Sequence, residues 1–366
     1  MDLIELLNKE PSVIPKNATV LDNFVKAYSV INRPQYKTIF CSISGGSDSD
    51  VMMDIIYKVD VNKKVTYVWF DTGLEYEATK RHIEYLENKY NVKILRERAI
   101  KPIPIACKEY GQPFLNKMVS RNIQSLQSRG FMWEDRPYSD LIKLYCDLVD
   151  PSTPNCVRVE GNYYKGCIRA LKWWCNMFSC DNEQSSSRFN INYNKYLKEF
   201  MLSNPPRFKI SAECCEWSKK RVSQQLIQDY QCDLMIVGVR KAEGGARSTI
   251  YKNCFSASQD SKYKCDFYRP LFWYLRSDKT EYEEYCQIKH SDCYTIYGFE
   301  RTGCCCCPYG WTRNKLFYEL EQTKRHEPKL YKAVNSVFRD SYVYTKQYLS
   351  FREEMKEKEK GRKRLF

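Results

Sequence analysis

The sequence has only three histidines, His82, His290 and His326, among its 366 residues. None of them lies in a pattern that combines histidine with cysteine, or with serine and aspartate. Zinc hydrolases use histidine as a metal ligand, and serine hydrolases use it as a general base. The scarcity argues against both classes, and we expect all three histidines to be structural or exposed.

The sequence also lacks a long apolar run. No stretch approaches the roughly 20 apolar residues of a membrane-spanning helix, and the first few residues carry acids where a signal peptide carries bases. We therefore expect a cytoplasmic protein that does not contact a membrane. With 43% hydrophobic and 14% aromatic residues, the chain can bury a substantial core.

Basic residues outnumber acidic residues by 59 to 45, so the formal net charge is +14. This balance suits an anionic substrate, and nucleic acid is one such substrate. The dense basic block is the tail at residues 356–364. A block of this kind is typical of a solvated terminal helix at least as much as of a nucleic-acid contact.

A glycine-rich turn follows the strand-like residues 38–43 and precedes the helix-like residues 51–57. Such a turn aims backbone N–H groups at one point, where the positive end of the helix and three serine hydroxyls add to the attraction for an anion. The pattern predicts a binding site for phosphate or sulfate. No Gly-Lys-Ser or Gly-Lys-Thr follows, so the turn is not a Walker loop. Its residues are Ser44, Gly45, Gly46, Ser47, Asp48 and Ser49.

Three other segments resemble parts of one known family. Residues 65–70 lead into Asp71-Thr72-Gly73, residues 235–239 lead into Arg240 and Lys241, and residues 297–308 end in Cys304-x-x-Cys307-Pro308. Together with the glycine-rich turn, and in the same order, these segments resemble the PP-loop superfamily and, within it, the phosphoadenosine phosphosulfate (PAPS) reductase family. The resemblance extends over residues 38–310.

The resemblance implies an α/β fold in which a Rossmann-like parallel sheet is flanked by helices. We expect an N-terminal helical cap at residues 1–35, a PP-loop domain at 36–310 with a helical insertion at about 102–206, and a helical region with a basic tail at 311–366. The insertion is rich in aromatic and basic residues, which fits either a substrate wall or a hydrophobic subdomain.

By the same resemblance, the glycine-rich turn would hold the pyrophosphate of ATP or the phosphosulfate of an adenylyl sulfate. Asp48 would hold the turn or a magnesium ion. A cation at the end of a strand neutralises an anion well, although a surface charge cluster has the same composition. We expect Ser44, Asp48 and Arg240 to take part in catalysis. The residues expected beside the adenosine are Phe70, Asp71 and Thr72, and those expected to neutralise the anion are Arg240, Lys241 and Arg247.

Eighteen cysteines are present, and without an export signal we expect them to stay reduced, with a subset bound to metal. A tandem pair, Cys214 and Cys215, and the later pair, Cys304 and Cys307, resemble the ligands of the four-iron, four-sulfur cluster in adenylylsulfate reductases. We therefore expect these four cysteines to bind a 4Fe-4S cluster. Tetrahedral zinc and a redox dithiol are the alternatives.

The ligand assignment has competitors within the sequence. Cys305 and Cys306 lie inside the Cys-x-x-Cys motif, so its register depends on the flanking residues alone. Cys167, Cys175 and Cys180 form a second loose group. This group is either an alternative ligand set or a set of buried thiols in an aromatic core.

Three functions fit the sequence. Reductases of the resembled family carry a C-terminal Glu-Cys-Gly motif whose cysteine attacks sulfur, and this sequence has no cysteine after Cys307. The first hypothesis is therefore an enzyme that adenylates an acceptor and delivers sulfur to it, as tRNA thiolation and DNA phosphorothioation proteins of the superfamily do. The second is a PAPS or adenylylsulfate reductase that uses an internal cysteine. The third is a non-catalytic iron–sulfur nucleotide sensor or partner subunit.

These hypotheses imply partners of several kinds. The nucleotide would be ATP or an adenylyl sulfate, and a sulfur donor protein or a thiol reductant would supply sulfur or electrons. The positive charge and the aromatic insertion are compatible with tRNA or DNA as the acceptor. We also expect the chain to form a homo-oligomer.

Overall fold

The computed structural model describes most of the chain in two compact units. The first unit comprises Met1–Ile103, Cys215–Cys305 and Gln322–Leu330, and the second comprises Pro104–Cys214, Cys306–Glu321 and Tyr331–Phe366. The glycine-rich turn lies in the first unit. The described ranges are residues 3–9, 12–148, 163–164, 167–179, 187–244, 250–260, 264–310 and 315–363.

Strands and helices alternate in the first unit, and the chain is mainly helical from residue 315 to residue 363. The strands are β1 Ile39–Ile43, β2 Val65–Asp71, β3 Ile94–Arg98, β4 Asp147–Leu148, β5 Tyr163–Tyr164, β6 Leu234–Val237, β7 Phe255–Ser256 and β8 Asp266–Tyr268. The α-helices are α1 Leu3–Leu7, α2 Ala18–Ile31, α3 Ser47–Val59, α4 Glu77–Tyr90, α5 Ile103–Tyr110, α6 Lys117–Gln127, α7 Tyr138–Tyr145, α8 Ile168–Trp174, α9 Leu197–Ser203, α10 Glu213–Cys215, α11 Arg221–Asp229, α12 Arg276–Tyr285, α13 Asp292–Thr295, α14 Lys315–His326, α15 Pro328–Val337 and α16 Arg339–Lys363. A π-helix, Glu216–Lys220, joins α10 to α11. Within the described ranges, no helix is both long enough and apolar enough to span a membrane.

Six strands form one sheet in the order β3-β2-β1-β6-β8-β7. Only the pairing of β7 with β8 is antiparallel in this sheet. The central strand β1 pairs with β2 and β6, so that Ser42 lies opposite both Val68 and Val237. The carboxyl ends of these three strands therefore meet at one edge, which is where open parallel sheets bind ligands. The α/β fold predicted from the sequence is confirmed.

Local sequence sets the ends of the helices beside the sheet. The side chain of Asn17 accepts two backbone hydrogen bonds and starts α2. Asn91 adopts the left-handed conformation, with φ of 49°, and ends α4. The carboxylate of Glu327 accepts hydrogen bonds from the first N–H groups of α4, where the helix dipole favours a negative charge.

The core of the first unit covers both faces of its sheet. Four of the five residues of β1 are buried, as expected for a parallel strand with helices on both sides. One face packs against α2 and α3 through fully buried residues such as Phe24, Val51 and Ile55. The other face packs against Leu226 and Ile227 of α11. This packing fixes the sheet edge from which the glycine-rich turn extends.

The second unit has an aromatic core of its own. Trp173 and Trp174 of α8 are fully buried, and Tyr344 and Tyr348 of α16 pack against Phe200 of α9. Aromatic pairs of this kind stabilise a core through both area and geometry. Trp173 and Trp174 therefore support the core and are not available to stack on bases.

Candidate functional site

The predicted phosphate loop connects β1 to α3. Because α3 begins at Ser47, the N–H groups of its first turn point out of the helix. Oγ of Ser49 donates to the carbonyl of Gly46 at 2.7 Å and accepts from the N–H of Gly46 at 3.1 Å. Oγ of Ser44 lies 3.3 Å from Oγ of Ser49. The serine hydroxyls thus hold the loop at the positive end of α3 in a shape that suits an anion.

The two glycines serve the loop in different ways. Gly45 has a φ of +68°, and a Cβ added there would lie 2.8 Å from Cγ2 of Thr79. The backbone itself therefore requires glycine at this position. Gly46 has a φ of −94°, which any residue adopts. A Cβ on Gly46 would lie 3.2 Å from Oγ1 of Thr302 and 3.3 Å from the hydroxyl of Tyr294, so Gly46 keeps this space open.

Two cations converge on Asp48, the second residue of α3. Nε of Arg240 lies 3.0 Å from Oδ1 of Asp48, and Nζ of Lys279 lies 3.1 Å from the same oxygen. Burial would raise the pKa of Asp48, but a hydrogen bond with Glu243 and the charges of Lys279 and Arg240 outweigh burial and lower it. Asp48 is therefore ionised. Its contacts favour the predicted role of holding the loop over that of binding magnesium.

Lys279 also reaches the loop directly. Its Nζ donates to Oγ of Ser47 at 2.7 Å, although the two residues are 232 positions apart. The lysine lies on α12, and its side chain is only 12% exposed. The positive charge of Lys279 is thus hydrogen-bonded to the first residue of α3.

A tyrosine covers the loop from another direction. The N–H of Ser47 donates to the hydroxyl of Tyr294 at 3.0 Å, and the N–H of Thr302 donates to the same oxygen at 3.2 Å. The hydroxyl of Tyr294 also lies 3.2 Å from Oγ1 of Thr302. Tyr294 therefore links the loop to the segment that leads into Cys304.

A buried carboxylate behind the loop contacts two of the three histidines. Asp50 lies 3.0 Å from Nε2 of His82 and 2.8 Å from Nδ1 of His290, and Nε2 of His290 lies 2.9 Å from Glu283. Burial lowers the pKa of His290, but hydrogen bonds with Asp50 and Glu283 outweigh burial and raise it to about 9. His290 is therefore a cation at neutral pH. The third histidine, His326, stacks on a tyrosine ring at 4.5 Å.

The turn after β2 folds back on itself. Thr72 is fully buried, and its Oγ1 donates to Oε1 of Glu75 at 2.5 Å. Oδ1 of Asp71 accepts a hydrogen bond from the N–H of Gly73 at 2.9 Å. Phe70 is partly buried against the α11 side of the core. Of the three residues predicted beside the adenosine, Phe70 and Asp71 keep part of their surface exposed, whereas Thr72 does not.

The predicted cations are placed differently from one another. Arg240 contacts the loop through Asp48. Lys241 is exposed, and its Nζ lies 5.1 Å from the centre of the Trp273 ring. Arg247 lies outside the described residues. Of the two described cations, Arg240 and Lys241, the structure brings only Arg240 to the loop.

Two of the four predicted metal ligands lie beside the half-buried Lys219 in the first unit. The charge of Cys304 raises the pKa of Lys219 most, and the charges of Glu75 and Cys215 add to it, which together outweigh burial. Burial raises the pKa of the Cys304 thiol, and Lys219 opposes that effect. Lys219 lies on the π-helix Glu216–Lys220, a rare helical form that is frequent at functional sites.

The described residues do not assemble a complete metal site. Cys214 and Cys307 belong to the second unit. In the described ranges, no three histidine, cysteine, aspartate or glutamate side chains are grouped as metal ligands. The thiols of Cys215 and Cys304 beside a cation are nevertheless donors that fit a thiolate-bound cluster. The full ligand set stays a prediction.

The competing cysteines are more deeply buried. Cys305 and Cys306 are fully buried, whereas the two ends of the Cys-x-x-Cys motif are half-buried. In the other group, Cys167 is buried and Cys175 is half-buried, and Cys180 lies outside the described residues. Cys214, one of the predicted ligands, is buried as well, so burial alone does not separate the predicted ligands from Cys305, Cys306 and Cys167.

Sequence reasoning missed several groups around the loop. They are Lys279, Tyr294, Asp50 and the supporting role of His290. Lys279, Tyr294 and His290 reach the loop or Asp50 through contacts over more than 200 positions, and no local pattern indicates these contacts. The one feature of the sequence that could have pointed to Lys279 is that its neighbours on the helix are mainly acidic.

Comparison with known families matches the region that contains the loop. The model of the phosphoadenosine phosphosulfate reductase domain matches residues 38–116. Residues 38–116 are thus similar to this domain. The match includes the phosphate loop and the Asp71-Thr72-Gly73 turn, and it confirms the family predicted from the sequence.

One curated relative and two solved structures are each similar to this PAPS reductase-like chain. An uncharacterized protein of Methanocaldococcus jannaschii is 34% identical over 109 residues, which span 28% of this chain and 22% of that protein. The PAPS reductase of Candida auris aligns with 83% of this chain and 95% of its own, at 10% identity and a TM-score of 0.38. The U34-tRNA thiolase NcsA of Methanococcus maripaludis, solved with its 4Fe-4S cluster, aligns with 92% of this chain and 79% of its own, at 10% identity and a TM-score of 0.34. At this level of similarity, neither structure assigns a function to the chain.

Proposed function

We propose that the chain is a PP-loop enzyme that binds ATP, activates an acceptor as its adenylate and transfers sulfur to it with an iron–sulfur cluster. The observation that carries the proposal is the convergence of the loop, Arg240 and Lys279 at the start of α3. Backbone donors, a helix dipole and two cations at the carboxyl edge of a parallel sheet suit a nucleotide phosphate.

The proposed reaction has two steps. An acceptor oxygen attacks the α phosphorus of ATP, the bond to the bridging oxygen of the β phosphate breaks, and pyrophosphate leaves with the electron pair. A sulfide-level sulfur from the donor then displaces AMP, so the acceptor gains sulfur and loses oxygen without net oxidation. The loop N–H groups and Arg240 would stabilise the negative charge that develops on the leaving pyrophosphate.

The cluster would be held by Cys214, Cys215, Cys304 and Cys307, and when bound it would supply a site for the sulfur to be transferred. The position of Lys219 supports this assignment. The positive charge of Lys219 opposes the rise that burial causes in the pKa of the Cys304 thiol, and thiolates are the forms that bind metal.

A second candidate function is that of a PAPS or adenylylsulfate reductase, which the family match at residues 38–116 favours. That reaction needs a cysteine thiolate to attack the sulfate sulfur. Cys293 lies near the loop, since its Sγ is 3.7 Å from Oγ1 of Thr79, the residue that packs against Gly45. Burial raises the pKa of Cys293 to about 11, so at neutral pH it would be a poor nucleophile.

Purification without air tests the proposal. Iron and zinc analysis with an ultraviolet–visible spectrum would identify the metal, and radiolabelled ATP with tRNA or plasmid DNA would reveal pyrophosphate and AMP. We expect bound iron, together with pyrophosphate release that depends on the nucleic acid. Sulfite release from PAPS would favour the reductase instead. ATP binding without turnover in any condition would favour a nucleotide sensor.

A further inference from the structure

Lys279 contacts three acceptors within the first unit. Its Nζ lies 2.7 Å from Oγ of Ser47, 3.1 Å from Oδ1 of Asp48 and 3.1 Å from Oε1 of Glu283. An ammonium group has three N–H donors, so these acceptors can use all of them. With a side chain only 12% exposed, Lys279 has a defined position at the loop.

This position lies next to the donors of the predicted anion site. Ser47 is the first residue of α3, and its hydroxyl, together with the N–H that donates to Tyr294, lies at a helix start, where anions bind. Since Nζ of Lys279 is already hydrogen-bonded to that hydroxyl, an anion oxygen bound by Ser47 would lie within reach of the ammonium. Asp48 shares one oxygen between Lys279 and Arg240, so both cations lie beside the first turn.

The far side of Lys279 is held by a chain of charged groups. Oε1 of Glu283 lies 3.1 Å from Lys279 and 2.9 Å from Nε2 of His290. His290 in turn contacts the buried carboxylate of Asp50 at 2.8 Å. A surface lysine normally extends its head group into water. Here the contact with Glu283 holds the ammonium group of Lys279 against the loop.

We propose that Lys279 is a second cationic ligand, with Arg240, for the pyrophosphate end of the nucleotide. This inference rests on the proposed function, because it assigns a further residue to the same site. Lysine presents a compact point charge, whereas arginine presents a planar fork. The ammonium group of Lys279 can therefore replace its contact with Asp48 by a contact with a phosphate oxygen. Its hydrogen bond to Ser47 would be kept.

The test compares Lys279→Met with Arg276→Met, a matched loss of one positive charge from an exposed position on the same helix. Calorimetric titrations use ATP, inorganic pyrophosphate and AMP as separate ligands. We expect Lys279→Met to weaken ATP and pyrophosphate binding about 10-fold or more, as for a lost charge-assisted hydrogen bond, and to leave AMP binding unchanged. Arg276→Met should bind all three ligands as the parent does.

Two outcomes would overturn the inference about Lys279 and leave the proposed function standing. One is parental affinity of Lys279→Met for ATP and pyrophosphate. The other is an equal loss of AMP binding, which would show that the lysine only supports the loop. A parent protein that binds none of the three ligands would instead reject the proposed nucleotide function. If Lys279→Met fails to fold, Lys279→Gln is the variant to titrate, because its amide can still donate to Ser47, and the same losses are expected.

Discussion

At the scale of single residues, Gly46 controls the approach to the N–H groups of α3. A valine there would place a branched side chain beneath the hydroxyls of Thr302 and Tyr294, where even a Cβ lies 3.2 to 3.3 Å away. We expect Gly46→Val to abolish ATP binding but to remain folded, because a φ of −94° suits valine. Calorimetric titration and thermal unfolding measure the two effects. Parental affinity for ATP would show that the loop is merely a turn.

His290 gives the stability of the protein a defined dependence on pH. Its pKa is about 9 in the folded protein, against about 6.5 in an unfolded chain. Between these values the folded state keeps a proton that the unfolded state releases, so the free energy of unfolding falls as pH rises. We expect a loss of about 2 kcal/mol between pH 6.5 and pH 8, and no further gain below pH 6.5. Urea unfolding at several pH values measures this loss.

His290→Gln is the control for this pH dependence. The variant should be less stable than the parent at pH 6.5, and its stability should lack the fall toward pH 8. The comparison stays below the usual cysteine pKa of about 8.5, so thiol ionisation contributes little to the difference. Parallel profiles for the parent and the variant would show that His290 does not carry the effect.

Single residues also show what the sequence can predict. Ser44 to Ser49 could be located because their chemistry is local, with glycines and serines between a strand and a helix. Lys279 and Tyr294 could not, because each reaches the loop through a contact over 232 or 247 positions. Thr72 illustrates a different case: its motif was recognised, but neither its full burial nor its hydrogen bond to Glu75 was predicted.

At the scale of elements, the parallel strands were the easiest part to predict. β1 and β2 are short apolar runs bounded by turn residues, and their hydrophobicity follows from burial on both faces. The π-helix Glu216–Lys220 is an element that the sequence did not predict. The wider turn places Lys219 near Cys215 and Cys304, and no propensity rule distinguishes a π-turn from an α-turn.

The two segments that carry the predicted metal ligands, one with Cys214 and Cys215 and one with Cys304 and Cys307, give a testable prediction. Serine at Cys214, Cys215, Cys304 or Cys307 should bleach the absorption of the iron–sulfur cluster, because each replacement removes one thiolate ligand. Cys254→Ser should leave the spectrum unchanged. Spectra and iron content of proteins purified without air measure the effect. Stoichiometric zinc in a colourless protein would exclude iron but would keep the ligand assignment.

At the scale of the whole molecule, the proposed nucleotide site belongs to one unit. The loop, Arg240, Lys279 and Tyr294 all lie in the first unit, whereas the second unit has a separate aromatic core. The first unit thus contains the described groups that can bind a nucleotide phosphate. The net charge of +14 is a property of the entire chain, and it favours an anionic acceptor without identifying one.

The reaction of the whole molecule depends on the state of its cysteines. A sulfonucleotide reductase must carry sulfite on a cysteine as a thiosulfonate, and the attacking thiol must be largely ionised and accessible. In the described chain, Cys293 is buried near the loop with a pKa of about 11, and burial also raises the pKa of the Cys304 thiol. We therefore expect no sulfite from PAPS or adenylylsulfate with thioredoxin or glutaredoxin as the reductant. We expect instead that ATP is cleaved between its α and β phosphates when the acceptor is supplied. Sulfite formation at enzymatic rates, lost on replacement of one internal cysteine, would reverse this assignment, because it would show that burial does not prevent that thiol from reacting.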